Sequence, residues 1–229
     1  MRPDRSERPL AAYPRALGSR RAVAWIGIVV LAGFLAQAAY EIVRGREAAI
    51  AGTEREIDAQ ARLLAEQTAR SIQAVDVVLR QVADQYRRGL LAGLDPPALR
   101  AHLQAQAAGL VQVDGIAMFD AEGLLRGSSI TPIPRWGKVD ISALRPFQRV
   151  RDRPDIGLMI DAAIPSPGSG IWIFPMGRRL ESASGRFEGL MGAGGMLEYF
   201  ESFYRATYPE PGTRVSLLHR EGWLLARHP

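Results

Sequence analysis

The first pattern along the chain is a stretch of nineteen residues, 22–40, without a charged side chain. At about 1.5 Å per residue, a helix of this length nearly crosses a hydrocarbon layer of about 30 Å. Trp25 and Tyr40 lie near its two ends, where amphipathic rings favour the membrane interface. The stretch therefore predicts a transmembrane helix.

A cleaved signal peptide is the alternative, because a basic segment precedes the stretch and Ala36-Gln37-Ala38 resembles a cleavage site. The apolar core of a signal peptide usually has only about 7–15 residues. The longer stretch found here favours an uncleaved anchor in the lipid bilayer.

A second hydrophobic pattern, with apolar residues mostly three and four positions apart, extends from Ile50 to Tyr86. This spacing is typical of one face of a helix. A helix of about forty residues is about 60 Å long, more than one globular domain needs. We therefore predict a stalk helix at 41–90. Two arrangements stay open: the stalk packs along its own domain, or it pairs with the same helix of a second copy in a homodimer.

The pattern then changes to shorter elements. Asp95-Pro96-Pro97 predicts an N-cap and first turn of a helix that ends near residue 109. A short helix is predicted at 140–151 and another at 197–205. Five apolar runs bounded by turn residues predict strands at 111–119, 124–129, 157–164, 171–180 and 186–194. This order predicts an α+β domain with a five-stranded antiparallel sheet.

A repeat indicates a second domain of the same type. The segment IAMFDAEGLL at 116–125 recurs as VSLLHREGWL at 215–224, and both copies predict a strand, a Glu-Gly turn and a returning strand. We therefore expect a tail at 1–21, a membrane helix at 22–40 and a stalk at 41–90. A first domain at 91–205 and the first hairpin of a second, truncated domain at 206–229 are expected to follow.

The net charge of +5 is concentrated at the N-terminus. Residues 1–21 hold six arginines against Asp4 and Glu7, so four of the five net positive charges precede the apolar stretch. The positive-inside rule predicts a cytoplasmic tail and an extracytoplasmic remainder. A nucleic-acid binder would carry its basic residues on the folded surface, so nucleic acid is not an expected partner.

The layout resembles the periplasmic double-Cache (PAS-like) sensor modules of bacterial histidine kinases, diguanylate cyclases and chemoreceptors. The segment 141–147, ISALRPF, is similar to the family's Arg-x-aromatic pattern, and 185–191, GRFEGLM, is similar to its penultimate strand. The resemblance implies a ligand-sensing input module in the bacterial inner membrane, with its output domain outside this chain. Met159 and Met196 stand where many members carry Tyr and Asp.

The resemblance also implies a ligand site. Arg145 would clamp a ligand carboxylate beside Phe147, since a guanidinium matches a carboxylate with two parallel hydrogen bonds. Asp161 would accept a hydrogen bond from a ligand ammonium group, and the side chains of Trp136 and Trp172 would form walls of the pocket. The alternatives are an exposed Arg145 with Phe147 in the core, a solvated Asp161 in a turn, and Trp172 on an exposed sheet face. The departures at Met159 and Met196 favour a small organic acid over an amino acid.

Other functions have weaker support. The chain has no cysteine, and its three histidines, His102, His219 and His228, lack metal-ligand spacing. The glycines at 192–195 lack the context of a dinucleotide fingerprint and are expected to let the backbone pass closely at a strand end. We therefore expect no catalytic residue, metal or cofactor, and no enzyme activity. A non-signalling, adhesion-like anchored domain stays the alternative function.

Overall fold

The computed structural model describes residues 19–130, 139–207 and 214–228. The chain divides into a unit that ends at Ala61 and a unit that begins at Arg62. The first helix, α1 (Ser19–Arg87), contributes to both. The described apolar side chains of the first unit are exposed, including Trp25 at 67% and Phe34 at 71%. Over the described residues, α1 is the one helix long and apolar enough to cross a membrane, as predicted.

In the second unit, α1 presents its apolar face to the core. Val75, Leu79 and Val82 are fully buried at spacings of four and three residues, which place them on one side of the helix. The hydrophobic stripe predicted for the stalk is thus, in its second half, a core face.

The helix α2 (Pro96–Ala107) follows, and Asp95 caps it as predicted, because Ala98 N donates to Asp95 Oδ1 at 2.7 Å. A hairpin comes next, formed by β1 (Val113–Asp120) and β2 (Leu125–Ser128).

The elements α3 (Arg145–Asp152), β3 (Met159–Ile160), β4 (Ile164–Pro165), β5 (Trp172–Glu181) and β6 (Phe187–Met196) complete the sheet. In the described part of the chain all pairings are antiparallel, the order is β2-β1-β6-β5-β3, and β4 also pairs with β5. Five strand positions are therefore confirmed. The edge strand predicted at 157–164 is split in two. Asp161 N still donates to Pro175 O on β5, but Pro175 has no N–H to return a hydrogen bond, and the pairing resumes only at Ile164.

The glycine run at the end of β6 allows close packing, as predicted. A Cβ added at Gly195 would lie 2.4 Å from the ring of Phe174, which is fully buried. Glycine at this position therefore lets the Phe174 ring approach the strand closely.

The last elements are α4 (Leu197–Thr207) and a separate two-stranded sheet of β7 (Val215–Leu218) and β8 (Leu224–His228). The hairpin predicted from the repeat is thus present. Leu225 and Ala226 are buried in the same cluster as Phe200 and Tyr204 of α4. The domain boundary near residue 206 stays a prediction.

An ion-pair cluster ties α1 to the sheet. Asp76 accepts hydrogen bonds from Arg178 on β5 and, at 2.7 Å, from Arg80 on its own helix. Burial raises the pKa of Asp76, but the hydrogen bonds from the two guanidinium groups outweigh it and hold that pKa below its usual value.

Candidate functional site

A cavity of about 90 Å³ lies on the sheet face opposite α1 and α4. Its floor comes from β1, β5 and β6, and its cover from the start of α3 and the segment 164–168. The apolar lining residues include Ala117, Phe119, Ile130, Val139, Ile141, Phe147, Met159 and Leu190. A concave, largely apolar space with a few polar groups is the usual form of a small-molecule site.

Asp114 is the one charged side chain among the described residues that line the cavity. It is half-buried, and its Oδ2 accepts from Ser166 Oγ at 2.7 Å and from Ser169 Oγ at 2.9 Å. Ser128, which is fully buried, also lines the cavity. The polar groups are therefore a carboxylate and hydroxyls within a hydrocarbon wall.

The backbone is shaped to hold this carboxylate. A Cβ added at Gly194 would lie 2.5 Å from Asp114 Oδ1, and the Gly194 backbone donates a hydrogen bond to Asp114. Burial raises the pKa of Asp114 above its usual value, although these hydrogen bonds and those from the two serines act in the opposite direction. A half-buried carboxylate without a cation among the described lining residues is a favourable place for a ligand cation.

A β-bulge lets Asp114 face the cavity while Val113 and Ile116 both face the core. The register between β1 and β6 shifts between Val113 and Ile116, and both of these side chains lie in the core on the α1 side. Alternation puts Asp114 on the opposite face from Val113, and the extra residue of the bulge returns Ile116 to the face of Val113. Without the bulge, Asp114 and Ile116 would share one face.

Phe147 and Arg145 have separate environments. Phe147 is 1% exposed and forms part of the cavity wall, as the resemblance implies. Arg145 does not line the cavity: its side chain is 55% exposed, and its guanidinium lies 4.3 Å from the ring centroid of Trp223. The arrangement matches the alternative of an exposed arginine beside a core phenylalanine.

Asp161 is buried, at 2% exposure, so the alternative of a solvated turn residue is wrong. Its Oδ2 lies 3.4 Å from Arg149 Nη1 and 3.8 Å from Arg145 Nε. It does not line the cavity. Arg145 and Asp161, which the resemblance assigns to one ligand site, lie close together, but their charges face each other and neither residue lines the cavity.

Of the two tryptophans expected to line the pocket, the structure describes only Trp172. Trp172 is 59% exposed and covers an outer sheet face, as its alternative predicted. Trp136 falls at 131–138, outside the described residues. Ile130 and Val139, the described residues on either side, both line the cavity.

Sequence reasoning missed three residues: Asp114, Arg149 and Trp223. A charged residue directly before a glycine in the apolar run 111–119 was the available signal for Asp114. Arg149 and Trp223 gave no local signal, since their contacts join segments more than seventy residues apart. Within the described ranges, no group of three or more His, Cys, Asp or Glu side chains could hold a metal ion.

Comparison with known proteins identifies the fold. No protein-family model and no curated protein matches the sequence. The solved extracellular domain of rpHK1S-Z16, assigned as a histidine kinase, is 33% identical with a TM-score of 0.69, over 79% of this chain and 72% of that one.

Two chemoreceptor domains share the fold at lower identity. The ligand-binding domain of CtaA from Pseudomonas fluorescens, in complex with L-serine, is 14% identical with a TM-score of 0.57, over 76% of this chain and 71% of that one. The ligand-binding domain of PctC from Pseudomonas aeruginosa PAO1, in complex with GABA, is 18% identical with a TM-score of 0.52, over 74% and 73%.

The apolar helix and the extracellular relatives together indicate, for the described part of the chain, a single-pass membrane protein with an extracytoplasmic domain. The chain belongs to the family of Cache-like extracellular sensor domains of bacterial histidine kinases and chemoreceptors, and it is the ligand-sensing input module of a membrane signalling protein.

Proposed function

We propose that the ligand of this sensor module occupies the cavity that Asp114 and Phe147 line. The observation that carries the proposal is a largely apolar cavity whose described lining holds one half-buried carboxylate and no cationic side chain. Such a carboxylate costs stability unless a partner of opposite charge or a proton neutralises it. A ligand that supplies the opposite charge would bind and stabilise the fold together.

The ligand chemistry follows from the charge. The sequence favoured a small carboxylate held by Arg145, but a carboxylate in the cavity would face Asp114, and Arg145 points toward Trp223. We propose instead a ligand with an ammonium group near Asp114 and an apolar body against Phe147. CtaA and PctC were solved with L-serine and GABA, which each carry both an amino group and a carboxyl group.

Three probes of matched length test this class: n-butylamine, butyrate and n-butanol, added separately to the full chain in detergent micelles at pH 7. We expect n-butylamine to raise the melting temperature most. At a concentration 100 times its Kd, a ligand stabilises the folded state by about 2.7 kcal/mol. For a domain of this size that corresponds to about 5–10 °C.

The control variants are Asp114→Asn and Asp84→Asn; Asp84 is a half-exposed residue of α1 that does not line the cavity. Asp114→Asn should abolish the amine shift, whereas Asp84→Asn should retain it. A rise in melting temperature with butyrate but not with n-butylamine would instead support the carboxylate ligand that the sequence favoured. If no probe stabilises the wild type, the amine ligand is rejected, and the anchored structural domain gains support.

Three expectations from the sequence remain proposals: the absence of catalytic activity in this chain, a homodimer through α1, and a cytoplasmic N-terminus. The arginines before the apolar stretch support the orientation. Alkaline phosphatase fused after Asp95 should be active, because it folds only outside the cytoplasm. An inactive fusion, with an active cytoplasmic reporter at the same position, would reverse the topology.

A further inference from the structure

The helix α3 has two environments. Pro146 and Phe147, in its first turn, line the cavity. Arg145 and Arg149, four residues apart and therefore on one side of the helix, face the β7–β8 hairpin. A displacement of α3 by a ligand would thus reach the hairpin directly.

The contacts between α3 and the hairpin are specific. Arg149 Nη2 donates to Glu221 Oε1 at 2.9 Å, and the Arg149 guanidinium lies 5.9 Å from the ring centroid of Trp223. Arg145 lies over the same ring at 4.3 Å. Cation–π contacts of this kind depend on the position of the guanidinium over the ring, so they respond to a shift of the helix.

Asp161 joins this cluster to the cavity wall. Its carboxylate faces both arginines, and its backbone N–H donates to Pro175 O at 3.1 Å. Pro175 lines the cavity, and so does Met159, two residues before Asp161. The arginines are therefore held between the hairpin on one side and the cavity wall on the other.

Three atoms of the cluster are buried without a hydrogen-bond partner: Arg149 Nη1, Asp161 Oδ2 and Trp223 Nε1. The first two lie 3.4 Å apart, within ion-pair distance but without hydrogen-bond geometry. Unsatisfied buried polar atoms are costly, so a small rotation of α3 that completes a bond would be favourable. A shift of α3 would therefore change which of these atoms are hydrogen-bonded.

We propose that α3 couples occupancy of the cavity to the β7–β8 hairpin through Arg145, Arg149 and Asp161. The coupling rests on the proposed ligand site. The repeat predicts that this hairpin opens a second domain, so the contact would carry the ligand signal from the first domain into the next. Allosteric coupling requires such an element with two arrangements that both sites bias.

The first test needs no ligand. Hydrogen exchange of the full chain in detergent micelles is measured for the wild type, Arg149→Gln and Arg151→Gln. Arg151 is the matched control on the same helix, since it is exposed and pairs with Asp152. We expect Arg149→Gln to accelerate exchange at 215–228 about 5–10-fold and Arg151→Gln to leave it unchanged. Equal exchange in all three proteins would overturn the coupling.

The second test adds n-butylamine to the same proteins. In the wild type, the amine should change exchange at 215–228 at least about threefold. In Arg149→Gln that response should disappear while the amine still raises the melting temperature, because the cavity is intact. A response that persists in Arg149→Gln contradicts the proposed route. Absence of any thermal shift counts against the ligand proposal, and the ligand-free comparison then decides the coupling alone.

Discussion

At pH 7, the free energy of unfolding of the Asp76→Asn variant is expected to be about 2–3 kcal/mol lower than that of the wild type. Asp76 is 8% exposed and binds Arg178 through both carboxylate oxygens, so the amide would leave the guanidinium incompletely paired. Removing one partner of a well-buried pair costs about 3–5 kcal/mol, and the partial exposure of Arg178 reduces that cost. Denaturant titration of both proteins measures the difference.

The pH dependence identifies the cause. The pKa of Asp76 is lower in the folded state than in the unfolded chain, so the folded state binds the proton less tightly. Its contribution is complete above the unfolded pKa of about 3.9 and is lost as pH falls through the lower folded pKa. The difference between wild type and Asp76→Asn should therefore shrink below about pH 4.

A matched control is Asp84→Asn, since Asp84 forms an exposed pair with Arg87 in the same helix. Exposed pairs of this type contribute about 0–1 kcal/mol. A loss in Asp84→Asn equal to that in Asp76→Asn, or a difference for Asp76→Asn that stays constant down to pH 2, would show that the ion pair does not hold α1 to β5.

The helices were predictable because their signals are local. The cap at Asp95 and the apolar stripe through Val75, Leu79 and Val82 can be read from neighbouring residues. The division of the edge strand was not predictable from the sequence, because it depends on which residues of β5 form backbone hydrogen bonds with that strand. Local pattern determines the elements, whereas pairing determines where an edge strand is interrupted.

The candidate site was predictable only in part. Phe147 was found because an aromatic beside an arginine is a recognisable pattern. Asp114 was missed because alternation counted back from Ile116 puts it on the core face, and the sequence pattern does not reveal the bulge that separates Asp114 from that face. The partner of Arg145 was also beyond sequence reasoning, since Trp223 lies in the distant hairpin.

A larger side chain that fills the cavity is expected to abolish ligand binding, which is the second large effect predicted. Ala117 lies on β1 and lines the cavity, so Ala117→Leu would put three additional carbon atoms into it. The unliganded melting temperature should stay within a few degrees of that of the wild type, since the new side chain enters existing space rather than a packed core. Ligand binding should be lost because the space is occupied. Ala101→Leu, on an exposed position of α2, makes the same chemical change away from the cavity.

The most direct test of the cavity as the sensory site is the thermal shift produced by n-butylamine, butyrate and n-butanol in the wild type, Ala117→Leu and Ala101→Leu. We predict a shift with n-butylamine in the wild type and in Ala101→Leu, and none in Ala117→Leu. A shift by any of the three probes that survives in Ala117→Leu would place the ligand outside this cavity and contradict the account.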